Sequence, residues 1–93
     1  MDSFVKKGNL RRDLLVYILK HNDDIKTEYN ISIPETLMGM SSSTFDAWLY
    51  VHASKIFLAK NVKKCPALKG MLKEYLLLDM EIQQYTSASS ISL

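Results

Sequence analysis

Cysteine is nearly absent: Cys65 is the single one, so no intramolecular disulfide can form. Glycine and proline are also scarce, with three and two residues, which disfavours a turn-rich β fold and leaves room for long helices. No apolar run approaches the roughly 18 residues of a membrane span. Met1-Asp2-Ser3 leads into no apolar segment of the signal-peptide kind, so the expectation is an intracellular chain in a reducing compartment, cytoplasmic with a nuclear placement left open. Asn30-Ile31-Ser32 fits the glycosylation acceptor pattern by coincidence on that reading.

What is present is ordinary for a folded domain. The 93 residues are 47% hydrophobic and 24% charged, enough apolar material for one core. Net charge is +2, but it is unevenly spread. Residues 1–46 hold six basic and seven acidic groups, and residues 47–93 hold six lysines and three acids. The lysines (Lys55, Lys60, Lys63, Lys64, Lys69 and Lys73) fall in a stretch with no acid between them. Such a block suits an anionic or phosphate-bearing partner, plain solvent, or the negative end of a helix.

The pattern predicts an all-α, small single-domain bundle of four to five helices: an N-terminal arm over 1–8, a helical domain over 9–85 and a flexible C-terminal tail over 86–93. Asn9 is a candidate cap for a first helix running to about Asn22, with Leu10, Leu14, Tyr17 and Ile18 on one face. Residues 23–31 are ambiguous: Asp23-Asp24 could open a short helical turn or a loop, and weak β character at Tyr29–Ile33 has no partner strand, so the stretch reads as extended linker. Ser32 and Glu35 have capping-box spacing around Pro34, and Gly39 is placed to end that short helix in the left-handed conformation. Ser43 and Asp46 repeat the box before a helix over 44–60, whose Phe45, Trp48, Leu49, His52, Ile56 and Ala59 form the strongest apolar face, with Trp48 as its anchor. Pro66 suits the first turn of a last helix ending near Tyr85, striped by Leu68, Met71, Leu72, Tyr75, Leu78, Ile82 and Tyr85. Gly70 would let a neighbouring helix approach closely.

Catalysis finds no constellation. His21 and His52 lie on different helices with no nucleophile beside them, and no phosphate-cradling glycine loop exists. One cysteine and two histidines match no zinc spacing, so neither a metal site nor a cofactor is expected. His52 and Asp79 each interrupt an apolar stripe; each could sit at the edge of its stripe and reach water, the favoured reading, or the two could pair and fix helix register.

Residues 34–50 resemble a helix-turn-helix, with Gly39 at the turn, Met38 and Met40 beside it, and Phe45 and Trp48 buried. The resemblance implies a second helix in the DNA major groove, presenting Ser42, Ser43, Asp46, Ala47 and Tyr50 to bases while the lysines neutralise phosphates. Glu35, Pro34 and the lack of Arg or Lys before Lys55 depart from that pattern.

A different signal is surplus apolar surface. Phe57 and Leu58, with Leu76, Leu77 and Met80, lie outside the main stripes of their helices. Four helices of this length cannot easily hide them all, and each one buried contributes about 1.5–3 kcal/mol. The favoured function is therefore a non-enzymatic binding protein, working as an adaptor, an inhibitor or a homodimer. A protein partner or a second copy is favoured, and a DNA-binding regulator is the alternative.

Overall fold

α4 sets the frame, because its 25 residues make a rod about 37 Å long on which the other helices lie. The computed structural model describes residues 2–91, and side chains for 2–85. The elements are α1 (Asp2–Lys20), α2 (Asn22–Tyr29), a short 3₁₀ turn (Leu37–Gly39), α3 (Ser42–Leu58) and α4 (Ala67–Ile91). This is an all-α bundle of four helices, with no strand among the described residues.

Polar contacts fix the directions. Ser3 reaches Glu81, Lys7 reaches Asp79 and Arg11 reaches Tyr75, so α1 runs antiparallel to α4. Tyr75 bonds Asp46 near the start of α3, and Lys69 donates to the Ala59 carbonyl just past its end at 2.8 Å, so α3 also opposes α4. The strap between α2 and α3 must then return the length of the bundle. Its twelve residues, 30–41, span about 40 Å when extended, and buried Ile31 and Leu37 pin it down.

The core follows the helical stripes. Leu14 and Ile18 come from α1, Ile25 and Tyr29 from α2, Phe45, Leu49 and Ile56 from α3, and Leu68, Leu72, Tyr75 and Leu78 from α4. Trp48 is packed against this core but only partly buried, so Phe45 and Leu49 anchor α3 instead.

Several local expectations are corrected. Residues 2–8 are not an arm: they form the first two turns of α1, held by Ser3 and Lys7, with Asp2 at the positive helix end. Asn9 therefore lies inside the helix, where it accepts a bond from Arg12 at 3.0 Å. The segment read as linker is α2. His21 kinks the chain while helical bonding continues through it, its N–H donating to Tyr17 O at 3.0 Å and its carbonyl accepting from Ile25 N at 2.9 Å. Asp23 and Asp24 favour the start of α2, and Asn30, at φ 54°, ends it in the left-handed conformation that asparagine tolerates.

The helix near Pro34 contracts to Leu37–Gly39, with no side-chain cap, and Gly39 is not left-handed. Ser41, rather than Ser43, caps α3, its Oγ accepting from Thr44 N at 3.2 Å. Asp46 is drawn away from any capping box by cations of α1. α4 passes its expected end at Tyr85, and Tyr85 itself is exposed. The tail expected over 86–93 falls on residues whose side chains lie outside those described.

Gly70 admits no close neighbour: a Cβ there would meet nothing within 4 Å, and the same holds for Gly8 inside α1. Both glycines have ordinary helical φ, so alanine gives up only backbone entropy of the unfolded chain. Gly70→Ala and Gly8→Ala should each stabilise the fold by about 1 kcal/mol, read as a rise of about 4–8 °C in thermal midpoint.

Candidate functional site

Three groups of side chains stand out from the bundle: a polar cluster between helices, an exposed apolar set, and a convergence of metal-type donors at the end formed by α2 and the 60–66 loop.

The polar cluster centres on Lys7. Its ammonium lies 3.2 Å from Asp46 and 2.8 Å from Asp79, with only 12% of the side chain exposed against 14% and 18% for the two acids. Arg11 donates from Nε to the Tyr75 hydroxyl at 2.8 Å and lies 3.6 Å from Asp46. The Tyr75 hydroxyl donates to Asp46, and both cations lie over the Tyr75 ring. On the far side, Gln83 donates to Asp79 at 3.0 Å, and the Tyr50 hydroxyl lies nearby.

Two carboxylates thus meet two cations, and the charges cancel. Burial would push the Asp79 carboxyl up. The Lys7 ammonium and the Tyr50 hydroxyl overcome that and hold it below the ordinary carboxylate range. Burial pushes both phenols well up, with Asp46 adding to the effect on Tyr75 and Asp79 to that on Tyr50, so each hydroxyl stays a donor. Such a cluster ties three helices to one another in one register.

The cluster also decides the sequence expectations. His52 and Asp79 do not pair, because Lys7 supplies the nearer charge. His52 instead packs edge-on against Trp48 at 5.2 Å, its Nδ1 buried without a hydrogen bond. Burial and nearby Lys55 push its imidazole down. The helix-turn-helix likeness fails in geometry: residues 34–50 contain one 3₁₀ turn and the start of α3, with no first helix to cross a DNA backbone. Ser42, Ser43 and Tyr50 are exposed, but Asp46 bonds within the bundle rather than facing a groove.

The lysines separate too. Lys69 is spent on the open C-terminus of α3, through the Ala59 carbonyl. Lys64 lies 3.5 Å from Asp24, and Lys55 reaches the Asn30 carbonyl at 3.4 Å. Lys60, Lys63 and Lys73 are exposed. The backbone N–H groups of Lys63 and Lys64 both donate to Glu28, at 2.9 and 2.7 Å, which holds that carboxyl below its ordinary range.

Of the apolar candidates, Leu58 is 75% exposed, Met80 55%, Leu77 52% and Phe57 38%, while Leu76 is partly buried against the core. Leu77 and Met80 share a stripe of α4 with Lys73 and Gln84, opposite the core face. Leu58 also helps line a cleft of about 380 Å³, with Lys55 and Glu28 among its other walls.

The third group was invisible to spacing rules. His21, Asp24 and Cys65 bring one nitrogen, one oxygen and one sulfur donor within 4.8 Å of one another. The kink at His21 and the first turn of α2 supply two of them, and the loop held by Glu28 supplies the third. Only folding brings Cys65 to that end of the molecule; a His-x-x-Asp pair beside a remote cysteine carries no recognisable signature.

No family model matches the chain, no curated protein is similar to it in sequence, and no solved structure is similar to it in fold.

Lys7→Met would strand two mostly buried carboxylates and should cost about 3 kcal/mol. Adding Asp79→Asn should recover part of that loss, a non-additivity that a double-mutant denaturation cycle measures. The depressed carboxyls of Asp79 and Glu28 contribute stability that is complete above the ordinary carboxylate pKa of about 4 and is lost as pH falls through the folded-state values. Denaturant midpoints should therefore fall a little as pH drops through the ordinary histidine range of about 6.5, where His52 resists protonation in the fold, and fall more steeply below about pH 4, with a shallower acid drop in Asp79→Asn.

Proposed function

We propose that this chain works by binding rather than catalysis, covering the outward faces of α4 and α3 with a protein partner or a second copy of itself. The observation that carries this reading is the exposure of Leu77 and Met80 on one stripe of α4, with Leu58 exposed still further on α3. A helix whose opposite face already lines the core gains nothing within the subunit from that second stripe. It can bury the stripe only against another surface.

Magnitudes set the class of interface. Leu58, Phe57, Leu77 and Met80 are already partly covered, so completing their burial yields about 1 kcal/mol or somewhat more each. Four such gains only match the lower estimates, about 4 kcal/mol, of the cost of association. The contact is accordingly weak and exchangeable unless the partner adds polar complementarity. Exposed Lys60, Lys63 and Lys73 supply a positive rim, which favours an apolar surface bordered by acids and acts mainly on the rate of encounter.

Sedimentation velocity over low-micromolar to near-millimolar protein tests the self-associating form. The expected result is a reversible shift to larger species that Leu77→Glu weakens at least tenfold, while far-UV circular dichroism and thermal midpoint stay near those of the parent. A chain that stays monomeric throughout would confine the proposal to a foreign protein. Global unfolding by Leu77→Glu would make that residue structural and count against the proposal.

A further inference from the structure

The convergence of His21, Asp24 and Cys65 is used by neither the polar cluster nor the apolar faces. We propose that these three side chains form a mononuclear site for a divalent transition-metal ion of borderline softness, with zinc the foremost occupant.

The donor set is the first argument. Imidazole, carboxylate and thiolate are the three protein ligand types of zinc, and three protein ligands leave a fourth tetrahedral position for water or an incoming group. Calcium and magnesium call for oxygen donors instead, and neither would use Cys65 or His21.

Geometry is the second. Bonds of about 2.0–2.3 Å place tetrahedral ligand atoms roughly 3.3–3.8 Å apart. The donor atoms here lie within 4.8 Å of one another. Closing the difference takes about 1 Å, within the reach of side-chain torsions without moving α2. Asp24 has room to turn: its side chain is 41% exposed, and its ion pair is with the 69% exposed Lys64 at 3.5 Å. His21 is not committed elsewhere as a helix cap, since its side chain makes no capping hydrogen bond.

Electrostatics is the third. The Asp24 carboxylate and a Cys65 thiolate would repel one another across this short distance, and a dication between them turns that repulsion into shared attraction. Binding converts the thiol to a zinc-bound thiolate, and the displaced proton passes to the solvent. Lys64 is released from Asp24 in the same step.

The surroundings are suited to holding the ligands. Cys65 adopts φ 55°, a left-handed conformation unusual for a side-chain-bearing residue. The Tyr29 hydroxyl donates to its carbonyl at 2.9 Å in a buried bond. The Tyr17 hydroxyl lies beside the thiol, and the Tyr17 ring is 4.5 Å from the His21 ring. The ion would tie the α1–α2 kink to the loop before α4, adding to the links that Glu28, Tyr29 and the exposed Lys64–Asp24 pair already make between α2 and that loop.

The test is a titration of the whole reduced chain with Co²⁺ as spectroscopic probe and Zn²⁺ as competitor, using a phosphine reductant that does not chelate. One equivalent of Co²⁺ should give a thiolate-to-cobalt charge-transfer band in the near ultraviolet and the intensified visible bands of a tetrahedral ion, and Zn²⁺ should displace both. Cys65→Ser should abolish the charge-transfer band. His21→Gln and Asp24→Asn should each weaken Zn²⁺ binding by roughly tenfold or more, at least the loss expected from removing a supporting residue. His52→Gln should leave the affinity unchanged. Because Asp24 is partly exposed, Asp24→Asn keeps the test informative should Cys65→Ser not fold, with circular dichroism checking each variant. A wild-type spectrum that stays that of aqueous Co²⁺, a band that survives Cys65→Ser, or full affinity in Asp24→Asn would overturn the three-ligand site.

Discussion

The register of the bundle turns on a single ammonium group. Lys7 sits between Asp46 and Asp79, and so joins the start of α1 to both α3 and α4. Coulomb attraction alone does not make such a site favourable, because three charged groups must leave water to form it. The compensation is further partnering: Arg11 and Tyr75 also meet Asp46, and Gln83 donates to Asp79. Apolar packing supplies most of the stability. The cluster adds a register, because a slide of α1 by one turn along α4 would leave both acids without their cation.

That register has consequences at each end. At the start of α1 it orders residues that have little intrinsic reason to be helical, with Gly8 and Asn9 in the run. At the other end α1 stops at Lys20 and His21 kinks the chain, and α2 runs on to residues that meet the loop carrying Cys65. Glu28 holds that loop through two backbone N–H groups. The donor convergence at His21, Asp24 and Cys65 is thus a product of helix register and loop anchoring, and a metal bound there would strengthen the same junction.

The two functional readings occupy different parts of the surface and draw on different physics. The apolar stripe of α4 is surface left over: α1 and α3 cover one side of that helix, and Leu77 and Met80 remain in water on the other. The donor triad is a local concentration of charge and polarisable sulfur beside a buried thiol. Neither needs the polar cluster as a reacting group, which is consistent with its balanced charges and protonated phenols.

Periodicity along the chain determined much by itself. It identified helices at α1, α3 and α4, the buried stripe of Leu68, Leu72 and Tyr75, and the displacement of Phe57, Leu58, Leu77 and Met80 from the main stripes, because a 3.6-residue repeat is a local property that any one segment displays. Leu76 went the other way, since a neighbouring helix covers the edge of its stripe. Pairing across helices was decided only by the tertiary structure. Lys7 read as part of an arm, Asp46 as a cap, and Asp79 as a partner for His52, until helix register placed all three together. The approach of Cys65 to His21 and Asp24 is of the same kind: distance in space between residues far apart in the chain depends on how rods pack, and no single rod's sequence encodes that.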